Sequence, residues 1–209
     1  MPQIFDDMEP RAALAEIARD FHQRGWMAGT AGNLSVRADA SKSFWITASG
    51  RPKGRMDASD ALRVDVETGT VADRVKETNK PSAETCIHQV VYSLFANAKA
   101  CLHVHTVDAV IAADKAPAGA TGIALPPIEM IKGFDIWEQD PKLELPLFPN
   151  ILNVVEIANT IEQRFAQDPP RVTALMIRGH GVTVWGRTLQ EAYNRVETLE
   201  FIMSYMARR

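Results

Sequence analysis

At 209 residues, 46% of them hydrophobic, the chain is long enough to bury a sizeable core, and one domain over 1–209 is the expected organisation. A formal net charge of -3, with acids and bases interleaved, argues against a nucleic-acid groove or a polybasic membrane patch, and no apolar run approaches the roughly 20 residues of a transmembrane helix. The opening residues lack the basic-then-apolar order of a signal peptide, and two cysteines, Cys86 and Cys101, make no disulfide framework, so the reducing cytoplasm is the expected compartment.

The first element is helical. Leu14, Ile17, Ala18 and Phe21 fall at i, i+3, i+4 and i+7, with Pro10 placed to open the helix and Gly25 to close it. A glycine-bearing turn, Gly29 to Gly32, then runs into a short strand, Asn33-Leu34-Ser35-Val36. Phe44-Trp45-Ile46-Thr47 reads as its hairpin partner and Ala48-Ser49-Gly50-Arg51 as a loop. Leu62, Val64 and Val66 alternate with polar residues, and Glu67-Thr68-Gly69 turns the chain into another strand, which makes an antiparallel meander.

Pro81-Ser82-Ala83-Glu84 opens a second helix, striped by Ile87, Val90, Val91 and Leu94, that feeds an apolar strand carrying His103 and His105. A short helix over 107–113 follows. The proline- and glycine-rich segment 116–150 shows no clear period and reads as loops and short extended pieces. Val154, Ala158, Ile161 and Phe165 predict another helix, ended by Pro169-Pro170. Strands over 172–177 and 182–185 then flank Arg178-Gly179-His180-Gly181. Thr188 and Glu191 have capping-box spacing for a last helix striped by Ala192, Val196, Leu199, Met203 and Met206. Hairpins with interspersed helices predict an α/β/α sandwich on an antiparallel or mixed sheet.

The chemistry centres on three of the five histidines. On a strand, alternate side chains leave one face, so His103 and His105 project together. His180, between two glycines at a strand junction, supplies a third nitrogen, and three histidines with one open position suit a catalytic zinc. His22 and His88 sit in helices with no partner pattern. Glu84, at a helix start, is a carboxylate that the helix dipole favours as an anion. Glu129 lies between Ile128 and Met130, and such apolar neighbours would raise its pKa toward the range useful for proton transfer. Small polar residues beside glycine or at a helix start recur at Asn33, at Ser49-Gly50 and at Ser82. Gathered together they would cradle an anion, so a phosphorylated small substrate is expected.

The order Gly-x-x-Gly-Asn-Leu-Ser (29–35), Ile-Thr-x-Ser-Gly (46–50), Lys-Pro-Ser-x-Glu (80–84), His-x-His (103–105) and Gly-His-Gly (179–181) resembles the class II aldolase/adducin superfamily over nearly the whole chain. The resemblance implies one Zn2+ per subunit on His103, His105 and His180, and substrate phosphate at Asn33, Ser49, Gly50 and Ser82. It also implies a mainly antiparallel sheet between helix layers and a homotetramer with sites near subunit boundaries. Glu-Met-Ile-Lys-Gly (129–133) and His-Gly-Val-Thr-Val-Trp-Gly (180–186) resemble the dehydratase branch, which implies loss of water from 5-methylthioribulose 1-phosphate in methionine salvage. In sugar-phosphate aldolases of the superfamily the acid/base is the glutamate matching Glu84; in the dehydratase branch it is the one matching Glu129. The expectation here is that Glu129 moves the proton and Glu84 shapes the site. A sugar-phosphate aldolase or epimerase on the same metal is the alternative. A non-enzymatic adducin-like interaction module is a further one, with no use for three histidines and a placed acid.

Overall fold

The computed structural model describes residues 4–38 and 42–209. The first helix, α1 (Pro10–Gln23), has proline in its first turn, where a missing N–H leaves no bond unmade. It ends in a Schellman turn. Gly25 takes φ +78°, Trp26 N–H reaches Phe21 O (2.8 Å) and Gly25 N–H reaches His22 O (3.0 Å). Leu14, Ile17, Ala18 and Phe21 are all fully buried, as their spacing predicts.

The meander follows as β1 (Asn33–Arg37), β2 (Ser43–Thr47), β3 (Ala61–Asp65) and β4 (Val71–Arg74), each antiparallel to the next. The turn between β1 and β2 falls partly on 39–41, outside the described residues. The second helix, α2 (Thr85–Leu94), starts four residues after Pro81, because Ser82 first forms a turn with Thr85 (3.1 Å). Strand β5 (Ala100–Val104) stops one residue short of His105, whose N–H leaves the ladder for Trp26 O (2.9 Å). Helix α3 (Val107–Asp114) is capped by Thr106.

The segment without clear period contains β6 (Gly122–Leu125), a 3-10 helix (Glu129–Phe134) and β7 (Leu143–Phe148). Helix α4 (Val154–Gln167), β8 (Ala174–Ile177), β9 (Gly181–Gly186) and α5 (Leu189–Arg208) complete the chain. β8 begins two residues after Val172, whose carbonyl is taken by the Ala174 N–H at 2.7 Å. The capping box of α5 is half formed. Thr188 accepts from Glu191 N–H, but the Glu191 carboxylate turns to the N–H and guanidinium of Arg187.

The strands form one sheet in the order β4-β3-β2-β1-β5-β9-β8-β7-β6, antiparallel throughout except where β7 meets β8. Side chains alternate between two apolar layers. Ala100, Leu102, Val104, Val182, Val184, Ala174 and Met176 pack with α1, α3 and α5. Cys101, Trp185, Leu175 and Ile177 pack on the other face with α2 and α4. This is the expected α/β/α sandwich on a mainly antiparallel sheet. No helix among the described residues is long and apolar enough to cross a membrane.

Candidate metal centre and its cavity

Register builds the centre. Asn33 of β1 and Thr183 of β9 both pair with His103 of β5, so three neighbouring strands align these residues in one cross-strand row. His103 Nδ1 lies 2.9 Å from Val182 O and 3.0 Å from Thr183 Oγ1. A carbonyl can only accept, so Nδ1 carries the proton and the Nε2 lone pair faces His105 and Glu84. Nε2 is 2.8 Å from His105 Nε2. His180 enters from the tight turn before β9, where the backbone passes so close to β5 that a Cβ on Gly181 would stand 2.2 Å from Val104 O. The three ring centroids lie 4.5–5.1 Å apart.

Glu84, just ahead of α2, completes the cluster. Its Oε1 is 2.8 Å from His180 Nε2 and 3.3 Å from His103 Nε2, yet is buried without hydrogen-bond geometry to any partner. One ligand atom from each of Glu84, His103, His105 and His180 falls within 4.8 Å of the others. Imidazole lone pairs and a carboxylate oxygen turned on one another repel unless a cation sits among them, so this donor set fits a divalent metal. Burial alone would raise the Glu84 carboxyl; with no cation present, a proton held toward it by His103 or His180 outweighs burial and keeps it well below the usual carboxylate range. Burial, with His103 and His180 adding repulsion, pulls His105 down to about 3.

A hydrogen-bond chain that the sequence did not announce braces Glu84. Asn33 Nδ2 donates to Glu84 Oε2 at 2.5 Å, and His88 Nε2 donates to Asn33 Oδ1 at 2.5 Å. His88 Nδ1 then accepts from Ser35 Oγ (2.6 Å), which in turn accepts from Tyr92 OH (2.8 Å). The Asn33 amide donating to a carboxylate fixes the proton on His88 Nε2, and a neutral His88 then accepts the Ser35 hydroxyl proton at Nδ1 in competition with Cys101 O (3.2 Å from Ser35 Oγ). Such ordering needs a neutral His88, and complete burial with nearby His103 lowers it to about 3. His88 read as a helix residue without partners because Asn33 and Ser35 lie on a strand some fifty positions earlier in the chain.

The cluster opens on a cavity of about 330 Å³ lined by Thr30, Asn33, Thr47, Ser49, Lys53, Ser82, Glu84, His105, Val154 and His180 among others. Three of the four expected phosphate residues line it. Gly50, with φ +70°, turns the chain beside Ser49 without lining the cavity, and the Asn33 amide is engaged by Glu84 and, at 3.4 Å, by Ser82 Oγ. Lys53 was not expected there. Glu129 is the larger departure. Its side chain is 81% exposed and paired with Lys132 at 2.6 Å, and it does not line this cavity. The expected apolar environment is absent because Ile131 and Phe134 take the buried side of the 3-10 helix and turn Glu129 outward.

A mainly antiparallel sandwich with three histidines near strand ends and a carboxylate at a helix start has the class II aldolase fold. L-fuculose-1-phosphate aldolase from Thermus thermophilus matches it with a TM-score of 0.70 and 26% identity, over 93% of this chain and 91% of that one. YgbL from Escherichia coli gives 0.76 at 24% identity, over 93% and 86%. The chain belongs to the Class II Aldolase and Adducin N-terminal domain family, which it matches over residues 12–206. Two relatives named methylthioribulose-1-phosphate dehydratase are similar over most of their length. The protein from Microcystis aeruginosa is 48% identical over 95% of both chains. That from Leptospira biflexa is 42% identical over 94% of this chain and 95% of its own.

Proposed function

We propose that this protein dehydrates 5-methylthioribulose 1-phosphate to 2,3-diketo-5-methylthiopentyl 1-phosphate in methionine salvage, with one zinc per subunit on His103, His105 and His180. The observation that carries the reading is the convergence of those three imidazoles and Glu84 on a polar cavity, in a chain 48% identical to a protein named for that activity. The cation held there would polarise the C2 ketone and stabilise the negative charge that develops on its oxygen.

The protein's own groups must move two protons. A base removes the C3 proton, the C4 hydroxyl leaves as water with a second proton, and the enol so formed becomes the diketone. Glu84 lines the cavity and touches two of the histidines, so it orients the cluster. Glu129 is the proton-moving residue of this proposal, and from its exposed position it serves the cavity of a second copy. A homotetramer with sites near subunit boundaries supplies that geometry. Exposed apolar side chains near the cavity support it: Val107, two residues past His105, and Leu152 and Val155 beside Val154 are 75%, 105% and 55% exposed. The free cysteines support the cytoplasm as its compartment.

Glu84 also favours a second reading, retro-aldol cleavage, which uses the same cluster but breaks C3–C4. The products separate the two. Dehydration keeps all the carbon in one diketone phosphate, whereas cleavage yields dihydroxyacetone phosphate and a methylthio aldehyde. The phosphate should supply most of the ground-state affinity, since charge-assisted hydrogen bonds are roughly twice as strong as neutral ones. Competition binding of methylthioribulose against its 1-phosphate tests this; equal affinities would contradict the phosphate cradle.

A further inference from the structure

Lys53 opens a 3-10 turn just after the Ser49–Gly50 loop and is 1% exposed. Its Nζ donates to Thr30 O (2.9 Å) and Arg51 O (3.2 Å), and its backbone N–H to Gly29 O (2.9 Å). It therefore joins the two glycine loops that form one wall of the cavity. It is the only lysine or arginine among the described residues lining that cavity. No carboxylate of the described residues stands within ion-pair distance of it. The charge of Asp60 reaches it through the interior, but Asp60 itself is paired with Lys76 at 2.7 Å and Arg51 at 3.6 Å.

Burying an ammonium group without a counter-ion is costly, and two carbonyl dipoles offset only part of that. Burial accordingly draws Lys53 down to about 8, against the pull of Asp60 and Glu84. If the position served only to tie the loops, a neutral donor would do so at less cost. A positive charge in the cavity wall, with no carboxylate of the described residues at ion-pair distance, lacks a direct counter-ion.

We propose that Lys53 is the cationic anchor of this cavity and pairs with the phosphoryl dianion of the bound substrate. The identity of the substrate rests on the function proposed above; the anion-binding role of Lys53 does not. With the ligand in place the ammonium gains its counter-charge, and Ser49 and Ser82 contribute hydrogen bonds from uncharged donors. Binding selects phosphorylated over unphosphorylated sugars through this one side chain more than through the serines.

The test compares the metal-loaded wild type with Lys53→Gln, which removes the charge but keeps an amide to bond Thr30 O or Arg51 O, and with Lys53→Met. Inorganic phosphate is titrated by thermal shift. The preference for methylthioribulose 1-phosphate over methylthioribulose is read from kcat/KM. Loss of a charge-assisted bond predicts about a 10–100-fold weaker phosphate affinity in Lys53→Gln, a preference compressed by a similar factor, and the change mostly in KM. Wild-type phosphate affinity in Lys53→Gln, or no phosphate binding by the wild type, overturns the proposal. If phosphate binds through Lys53 but no diketone forms, the anchor stands and the dehydratase reading falls. If both proteins dehydrate with equal KM, the dehydratase reading stands and the anchor falls.

Discussion

His88 and His105 make the residue scale testable by pH. Burial, then His103, lowers His88 from 6.5 to about 3. Between those values the unfolded chain binds a proton that the folded one refuses. Stability present above pH 6.5 is therefore lost as pH falls toward 3, by roughly 1.4 kcal/mol per unit for each such histidine. Urea unfolding of the metal-free protein at pH 7 and pH 5 should show that loss, and His88→Gln should reduce it; an unchanged pH slope in the variant would contradict the assignment. At pH 7, His88→Gln should also lower metal affinity or turnover about 10–100-fold, the usual effect of losing a group that orients a ligand. His180→Ala should lose stoichiometric zinc, measured beside the wild type, and retention would remove His180 from the set. The convergence of His103, His105 and His180 was legible because His-x-His and Gly-His-Gly encode that geometry in local spacing. His88 and Lys53 were not, since their burial and partners arise from residues far along the chain.

At the scale of elements, the row Asn33–His103–Thr183 depends on β9 starting flush against β5. A methyl group at Gly181 would meet Val104 O at 2.2 Å, and the obstacle is backbone, which cannot swing aside. Gly181→Ala should cost about 1–3 kcal/mol in denaturant unfolding and weaken metal binding by displacing His180; wild-type values for both would refute the close approach. The helices and the meander were legible because stripes of period 3.6 and alternations of period 2 ran long enough to read. The segment 116–150 was not. β6 has four residues, β7 carries Pro146 opposite Gly122, and between them the chain makes only a 3-10 helix. Such short pieces at a sheet edge are fixed by packing on α5 and β8 rather than by their own pattern.

For the whole molecule the open matter is Glu129, read from sequence as an acid among apolar neighbours and found exposed and not lining the cavity. If it acts across subunits, Glu129→Gln and His180→Ala are each inactive alone, but a mixed oligomer contains sites with both groups intact. Co-refolding the two variants should restore activity about in proportion to those mixed sites; no recovery in verified mixed oligomers would contradict action across the boundary. The central claim, that this fold and metal centre remove water from a methylthio sugar phosphate, is tested most directly by incubating zinc-loaded protein with 5-methylthioribulose 1-phosphate and following products by mass spectrometry. The account predicts the diketone phosphate, formed by wild type and abolished by chelation or by His103→Ala. Dihydroxyacetone phosphate instead, or unchanged substrate with metal verified in place, would contradict it.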